Sequence, residues 1–187
     1  MHIVLVNDDG IQSVGIHALC RAARARGHKV SVCAPSHQQS AASQRITLTD
    51  PIYVKEYDMG EPGVNAWSIT GTPTDCVRLG LFNLIQEPVD VLISGINDGY
   101  NAGMAVHYSG TVGAATEAAL NRVRAMAVSV HHKADPALYD YVAHLAILTA
   151  EKYISLKTPP VTVLNMNAPL REPAEILPPV LAPLSIA

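Results

Sequence analysis

Two adjacent carboxylates follow the first apolar run of this chain. Residues 2–6 read HIVLV, a short run rich in β-branched residues that is typical of a central parallel strand buried on both faces. Asp8 and Asp9 come almost directly after it, with Asn7 before them and Gly10 after them. Ligands of open α/β sheets bind at the carboxyl ends of the strands, and two neighbouring acids repel one another unless a cation holds them. We therefore expect a divalent cation at Asp8 and Asp9; an acidic turn that caps the next helix is the alternative interpretation.

Two further oxygen donors follow later predicted strands. Ser40 lies in QQSAAS and Asn97 lies in SGIND. Either residue alone is more often a simple turn residue. Because the carboxyl ends of parallel strands meet at one edge of a sheet, we expect both to join Asp8 and Asp9 there. Carboxylate, hydroxyl and amide oxygens are hard donors, so this set suits Mg²⁺ or Mn²⁺ and suits zinc poorly.

A glycine-rich loop leads into a predicted helix that begins near Thr111. Backbone N–H groups and hydroxyls at a helix N-terminus bind phosphate, so Ser109, Gly110 and Thr111 are candidates to hold phosphoryl oxygens. Asn7, at the end of the first strand, is a fourth candidate. An ordinary helix cap made by Ser109 or Thr111 is the alternative. The chain has no Walker A sequence, and its glycines lack the spacing of a dinucleotide-binding motif.

The composition is that of a globular protein from a reducing compartment. The chain has 187 residues, of which 49% are hydrophobic, which suffices for one α/β domain with a sizeable core. Its net charge of −3 provides no basic field for a nucleic acid polymer. Cys20, Cys33 and Cys76 each lie in an apolar stretch and are expected in the core rather than in disulfides or a zinc site. With no signal peptide and no membrane-length apolar stretch, a cytoplasmic protein is expected.

Strand and helix patterns alternate along the chain, which predicts a Rossmann-like, doubly wound, mostly parallel sheet of about five or six strands. The segment GTPTD at 71–75 has the spacing of a helix start with a capping box. Residues 46–69 hold short strand patterns broken by prolines and glycines, and predict a small antiparallel excursion. His131 and His132 end a strand, so their rings are expected on opposite faces and not in a metal site. Predicted helices cover residues 15–26, 72–84, 111–121 and 136–154, and predicted strands cover 2–6, 29–34, 89–94, 124–130 and 160–166.

Four segments together match a known protein family in order, spacing and content. The four segments are VNDDG at 6–10, PSHQQSAAS at 35–43, GTPTDCV at 71–77, and SGINDGYNAG to YSGTVGAATE at 94–117. In these segments the chain resembles the SurE family (survival protein E), metal-dependent 5′/3′-nucleotidases. The resemblance implies a three-layer α/β/α fold and a metal site made by Asp8, Asp9, Ser40 and Asn97.

The resemblance also implies a reaction and its partners. The reaction is hydrolysis of nucleoside 5′- or 3′-monophosphates to nucleoside and phosphate, with short polyphosphate as a further substrate. One divalent ion, Mg²⁺ or Mn²⁺, is the implied cofactor, and either Asp8 or Asp9 would orient or deprotonate the attacking water. A homo-oligomer, dimer or tetramer, is expected, and neither a membrane nor a nucleic acid polymer is expected as a partner.

Two alternatives accompany this interpretation. SurE proteins usually continue well past the equivalent of Pro169, whereas residues 170–187 here form a short proline-rich tail, so a catalytically impaired SurE-like protein that binds metal or a partner is one alternative. A receiver-like signalling domain is the other, although no lysine between Lys55 and Lys133 is available to contact a phosphoryl group. We expect residues 1–169 to form the α/β domain, and the largely apolar tail to lie across this domain or a neighbouring subunit.

Overall fold

One mixed β-sheet of seven strands crosses the part of the chain that the structure, a computed structural model, describes, residues 1–184. The strands are β1 (His2–Val6), β2 (Lys29–Pro35), β3 (Val54–Glu56), β4 (Asn65–Ile69), β5 (Val91–Asp98), β6 (Arg124–Val130) and β7 (Val163–Ala168). Their order across the sheet is β3-β4-β2-β1-β5-β6-β7. Every neighbouring pair is parallel except β3 and β4, which are antiparallel.

Helices cover both faces of this sheet. On one face, a core cluster combines the apolar residues of α1 and α4 with strand residues such as Ile3 and Leu5. On the other face, a second cluster combines α2 and α3 with Val4 and Val6. Successive side chains of β1 thus point to opposite faces of the sheet, and helices cover each face. This arrangement confirms the predicted three-layer, doubly wound fold. The helices described are α1 (Val14–Ala25), α2 (Pro73–Leu79), α3 (Gly110–Leu120) and α4 (Pro136–Tyr153), with one π-helical turn at Gly80–Leu84 and 3₁₀ turns at Gly103–His107 and Pro173–Glu175.

The strand order creates a crevice above β1. The chain passes from β1 to β2 on one side of it, and later returns to β5 on its other side. Loops that leave neighbouring strands in opposite directions separate at such a switch point, and ligands of open α/β sheets bind there. The four predicted metal ligands lie on the segments after β1 and β2 and near the end of β5, so the topology brings these parts of the chain to one edge of the sheet.

The predicted elements agree with the structure except at their ends. The antiparallel excursion is confirmed, but within residues 46–69 only β3 and β4 are strands. The sheet has seven strands rather than five or six, because β3 and β4 both join it. Strand β5 continues to Asp98, past the expected end at residue 94, with a register shift against β6 between Ser94 and Asn97. Helix α2 begins at the predicted capping box, and the α-helix ends at Leu79, where a π-helical turn replaces it.

Residues 170–184 contact the domain only in their first part. Ile176 packs against the core cluster that contains α1 and α4. By contrast, Leu177, Val180 and Leu181 are 83%, 87% and 93% exposed. The expected docking across the domain is therefore seen up to Ile176, and contact with a neighbouring subunit stays a prediction. Among the described helices, none is long and apolar enough to cross a membrane.

Candidate metal-dependent active site

Asp8 is a buried carboxylate at the end of β1, with 5% of its surface exposed. Its Oδ1 accepts a hydrogen bond of 2.5 Å from the hydroxyl of Thr111. A β-carbon added at Gly110 would lie 3.0 Å from Oδ2 of Asp8, so the start of α3 approaches the carboxylate closely because residue 110 has no side chain. Burial raises the pKa of Asp8, while the hydrogen bond from Thr111 and nearby backbone N–H groups oppose part of that shift.

Asp9, the next residue after Asp8, is half-buried. Its Oδ2 accepts a hydrogen bond of 3.0 Å from the backbone N–H of Asp98, and its Oδ1 accepts one of 3.3 Å from the amide of Gln38. Burial raises the pKa of Asp9 to about 6, and the charges of Asp8 and Asp98 add to the shift, while the N–H of Asp98 opposes it. The loops after β1 and β2 and the end of β5 thus meet at this one side chain.

The acid pair is suited to a bound cation. None of the ion pairs within residues 1–184 involves Asp8 or Asp9, so no basic side chain there neutralises them. Burial raises the pKa of both neighbouring carboxylates. Their negatively charged forms therefore lack a compensating positive charge. A divalent ion with oxygen ligands would supply it. The donor chemistry of the site therefore fits Mg²⁺ or Mn²⁺.

Ser40 lies on the loop that follows β2, and its side chain is exposed. The loop is attached to the acid pair through the backbone, because the N–H of Gln39 donates a hydrogen bond of 2.7 Å to the carbonyl of Asp8. On its other side, the hydroxyl of Ser43 donates to the carbonyl of His107 at 2.9 Å. These contacts hold the Ser40 loop between the end of β1 and the loop that precedes α3.

Asn97 lies near the end of β5, opposite Ser129 of β6. Its amide Nδ2 donates a hydrogen bond of 2.7 Å to the carbonyl of Gly99. This contact fixes the orientation of the amide, and its Oδ1 accepts no hydrogen bond from the described residues. Asn97 therefore offers an amide oxygen as a ligand, which the predicted metal site requires.

Comparison with known proteins identifies the family of this chain. The family model for Survival protein SurE matches residues 3–184. The chain belongs to the SurE family. Among its relatives, the 5′-nucleotidase SurE of Solidesulfovibrio magneticus is 45% identical over 98% of this chain and 71% of that protein. The 5′-nucleotidase SurE of Prochlorococcus marinus strain MIT 9515 is 39% identical over 90% of this chain and 63% of that protein.

A solved structure shows the same fold. The crystal structure of the SurE protein from Aquifex aeolicus matches with a TM-score of 0.80 at 32% sequence identity, over 94% of this chain and 69% of that one. The chain thus spans about two thirds of the length of the SurE proteins it matches. No observation favours the receiver-like alternative, and the SurE fold carries the acid pair at its switch point.

The predicted phosphate-holding residues of this SurE chain have hydrogen-bond partners within the protein. The side-chain amide of Asn7, fully buried, donates to the carbonyl of Gly10 and to the hydroxyl of Ser13 at 2.8 and 2.7 Å. Ser109 is the N-cap of α3, where its hydroxyl accepts from the N–H of Val112 at 3.1 Å. These contacts match the capping alternative for Ser109, and substrate binding by these residues stays a prediction.

Gly110 and Thr111 both adjoin Asp8. A β-carbon added at Gly110 would lie 3.0 Å from Oδ2 of Asp8, and the Thr111 hydroxyl donates to the same carboxylate. Both residues therefore help to shape the surroundings of Asp8, whatever part they take in holding phosphate.

Sequence reasoning did not single out two residues of this site, Gln38 and Asp98. Both contact Asp9, Gln38 from the loop after β2 and Asp98 from the last position of β5. Asp98 directly follows Asn97, so a third acid next to a predicted ligand was visible in the sequence. Its exposed side chain, however, contributes through its charge, and its bond to Asp9 is made by the backbone.

Proposed function

We propose that this chain is a metal-dependent phosphomonoesterase that hydrolyses nucleoside 5′- or 3′-monophosphates to nucleoside and phosphate, and that it also acts on short polyphosphate. The observation that carries the proposal is a pair of adjacent carboxylates at the switch point of the sheet, one buried and one half-buried, with no basic partner among residues 1–184. The SurE relatives that match the chain bear the name 5′-nucleotidase, which supports the same reaction.

Four side chains would hold the cation: Asp8, Asp9, Ser40 and Asn97. A bound Mg²⁺ or Mn²⁺ supplies positive charge that offsets the negative charge of the transferring phosphoryl group and acidifies a water molecule. Asp8 is fixed by Thr111 and buried, so its role is to hold the site in place. Asp9 is the more exposed of the two acids, and we assign it the contact with the attacking water. The N–H groups of Gly110 and Thr111, at the start of α3, would hold phosphoryl oxygens.

A hydrolysis assay tests this proposal. The full chain is incubated with a panel of nucleoside 5′- and 3′-monophosphates and short polyphosphate, with Mg²⁺ or Mn²⁺ and with a chelator. Asp8→Asn keeps the shape of the side chain but removes its charge, and should lower kcat/KM at least about a hundredfold, a loss of roughly 2.7 kcal/mol in transition-state stabilisation.

The matched control is Asp140→Asn on α4, an exposed acid that pairs with Arg21. It should leave kcat/KM unchanged. Full activity in excess chelator would contradict the metal site. A folded protein that binds Mn²⁺ but hydrolyses no phosphomonoester would instead support the catalytically impaired alternative. The expected homo-oligomer and the expected cytoplasmic location stay predictions.

A further inference from the structure

Three aromatic side chains stand together just beyond the ends of β5 and β6. The rings of His131 and His132 are stacked, with centroids 4.2 Å apart and planes inclined by 29°. Tyr100 meets His131 in an edge-on arrangement, with centroids 5.3 Å apart. We call these three side chains the aromatic stack. The expectation that the two histidines point to opposite faces was wrong, because β6 ends at Val130 and strand alternation no longer applies.

Hydrogen bonds from the backbone hold the aromatic stack in place. The hydroxyl of Tyr100 accepts a hydrogen bond of 3.2 Å from the N–H of Leu170. Nδ1 of His131 accepts one of 3.1 Å from the N–H of Lys133. His132 is exposed and Tyr100 is 42% exposed, so ring surface is open to solvent. Rings that are held before a ligand arrives bind it with a smaller entropy cost.

The aromatic stack lies close to the acid pair. Asp98 and Val130 are opposite one another in the sheet, and the N–H of Gly99 donates to the carbonyl of Val130 at 3.0 Å. Asp98 in turn contacts Asp9 through its backbone N–H at 3.0 Å. Tyr100 is two residues from Asp98, which limits their Cα separation to roughly 7 Å. The stack is thus attached to the same segment, the end of β5, that contacts Asp9.

Open space lies next to the residues that hold the stack. A cleft of about 270 Å³ is bordered by Lys133 and Leu170, the two residues whose N–H groups donate to His131 and Tyr100. Its other lining residues are the apolar Leu138 and Pro173, the basic Arg171 and the acidic Asp135, Glu172 and Glu175. The cleft therefore borders the backbone that holds the stack rather than the ring faces themselves.

We propose that the aromatic stack is the site that holds the nucleobase of the substrate. This inference rests on the proposed function, because it places the base beside a phosphoryl group held at the acid pair. Every base has a π-face, so stacking on aromatic side chains binds purines and pyrimidines with little discrimination between them. The stack thus selects nucleotides as a class over phosphate esters that lack a base.

Steady-state kinetics with two kinds of substrate tests the proposal. KM is measured for a purine and a pyrimidine nucleoside 5′-monophosphate and for ribose 5-phosphate, which lacks the base. For His132→Ala and Tyr100→Leu, the ratio of nucleotide KM to ribose 5-phosphate KM should rise about tenfold. His132→Phe keeps an aromatic face and should preserve the wild-type ratio. The control is His144→Ala, an exposed histidine on α4, for which all constants should be unchanged.

Calorimetric titration with adenosine and uridine separates failure of this inference from failure of the proposed function. These nucleosides carry no phosphate, so their binding does not depend on catalysis. Weakening of nucleoside binding in His132→Ala and its retention in His132→Phe would support the base site even if the protein hydrolysed nothing. An unchanged KM ratio in both stack variants, or nucleoside binding that is the same in wild type and His132→Ala, would overturn it.

Discussion

The hydroxyl of Thr111 donates a hydrogen bond of 2.5 Å to Oδ1 of Asp8, which joins the first turn of α3 to the end of β1. Thr111 is fully buried and Asp8 is 5% exposed, so water does not compete for this contact. A hydrogen bond to a charged acceptor is stronger than one between neutral groups. In the structure the hydroxyl of Thr111 orients a predicted metal ligand, and its predicted contact with a phosphoryl oxygen stays a prediction.

Thr111→Val should weaken metal binding. Valine keeps the shape of threonine but donates no hydrogen bond, and loss of a partner that orients a metal ligand typically lowers metal affinity by about 10–100-fold. Thr111→Ser retains the hydroxyl and should keep an affinity near that of the wild type. Titration with Mn²⁺ measures the effect without catalysis. Equal Mn²⁺ affinity in the valine and serine variants would show that Thr111 only caps or packs α3.

The metal-free protein should lose stability as the pH rises through the range in which Asp9 ionises. The pKa of Asp9 is raised from 3.8 to about 6 in the folded state, chiefly by burial. Between these values the folded state binds more protons than the unfolded state, so the free energy of unfolding falls with rising pH. Below about pH 4 this contribution vanishes, since the carboxyl is then protonated in both states.

Asp9→Asn should therefore stabilise the metal-free protein at about pH 8, by about 1–2 kcal/mol after allowance for the partial exposure of the side chain. Urea unfolding in a chelating buffer at about pH 4, 6 and 8 measures the difference. Added Mg²⁺ or Mn²⁺ should stabilise the wild type at pH 8 and have little effect on the variant. If the variant were no more stable than the wild type at pH 8, this would contradict the conclusion that the charge of Asp9 lacks compensation in the metal-free protein.

Asp75 should stabilise the Ser40 loop as well as the start of α2. Its carboxylate is 4% exposed and accepts hydrogen bonds from the N–H of Thr72 at 2.9 Å and from the hydroxyl of Thr47 at 2.6 Å. Asp75→Ala leaves these donors without an acceptor and should lower the free energy of unfolding by about 2–3 kcal/mol. Trypsin cleavage after Arg45, in the same loop, should become faster.

Two comparisons make this prediction specific. Thr47→Val removes the hydroxyl contact with Asp75 but leaves the helix cap and the hydrogen bond from the backbone N–H of residue 47, so it should speed cleavage after Arg45 with a smaller loss of stability. Asp50→Ala alters an exposed acid of the same segment and should change neither quantity. If Asp75→Ala destabilised the protein without speeding the cleavage, Asp75 would act on α2 alone.

Two truncations should separate the parts of the tail. Deleting residues 170–187 removes Ile176 from the core and the Leu170 N–H from Tyr100, and should lower the free energy of unfolding by about 1–2 kcal/mol. Deleting residues 177–187 removes a segment whose described side chains, over 177–184, are mostly exposed, and should leave the stability of the protomer unchanged. Sedimentation checks whether either deletion shifts the oligomer distribution. Unaltered melting, sedimentation and turnover for the longer deletion would contradict a packed tail.

Local patterns predicted most of the fold. The strand at residues 124–130 and the starts of the helices at Pro73 and Pro136 were predicted at the positions the structure shows. Strand burial and helix caps depend on residues a few positions apart, so the sequence displays them directly. Strand β5 was predicted too short, because Gly95 interrupts the apolar run and the pairing with β6 resumes at Asn97 across a register shift.

The sequence by itself determined the family to which the chain belongs, and it predicted the oxygen donors and the strands near whose ends they lie. Only the tertiary structure decided which partners these donors have. Thr111 is 103 residues from Asp8, the N–H of Asp98 is 89 residues from Asp9, and Tyr100 meets His131 across the ends of β5 and β6. Such pairs depend on strand order and register, which come from the packing of the whole sheet and are not encoded in any short segment.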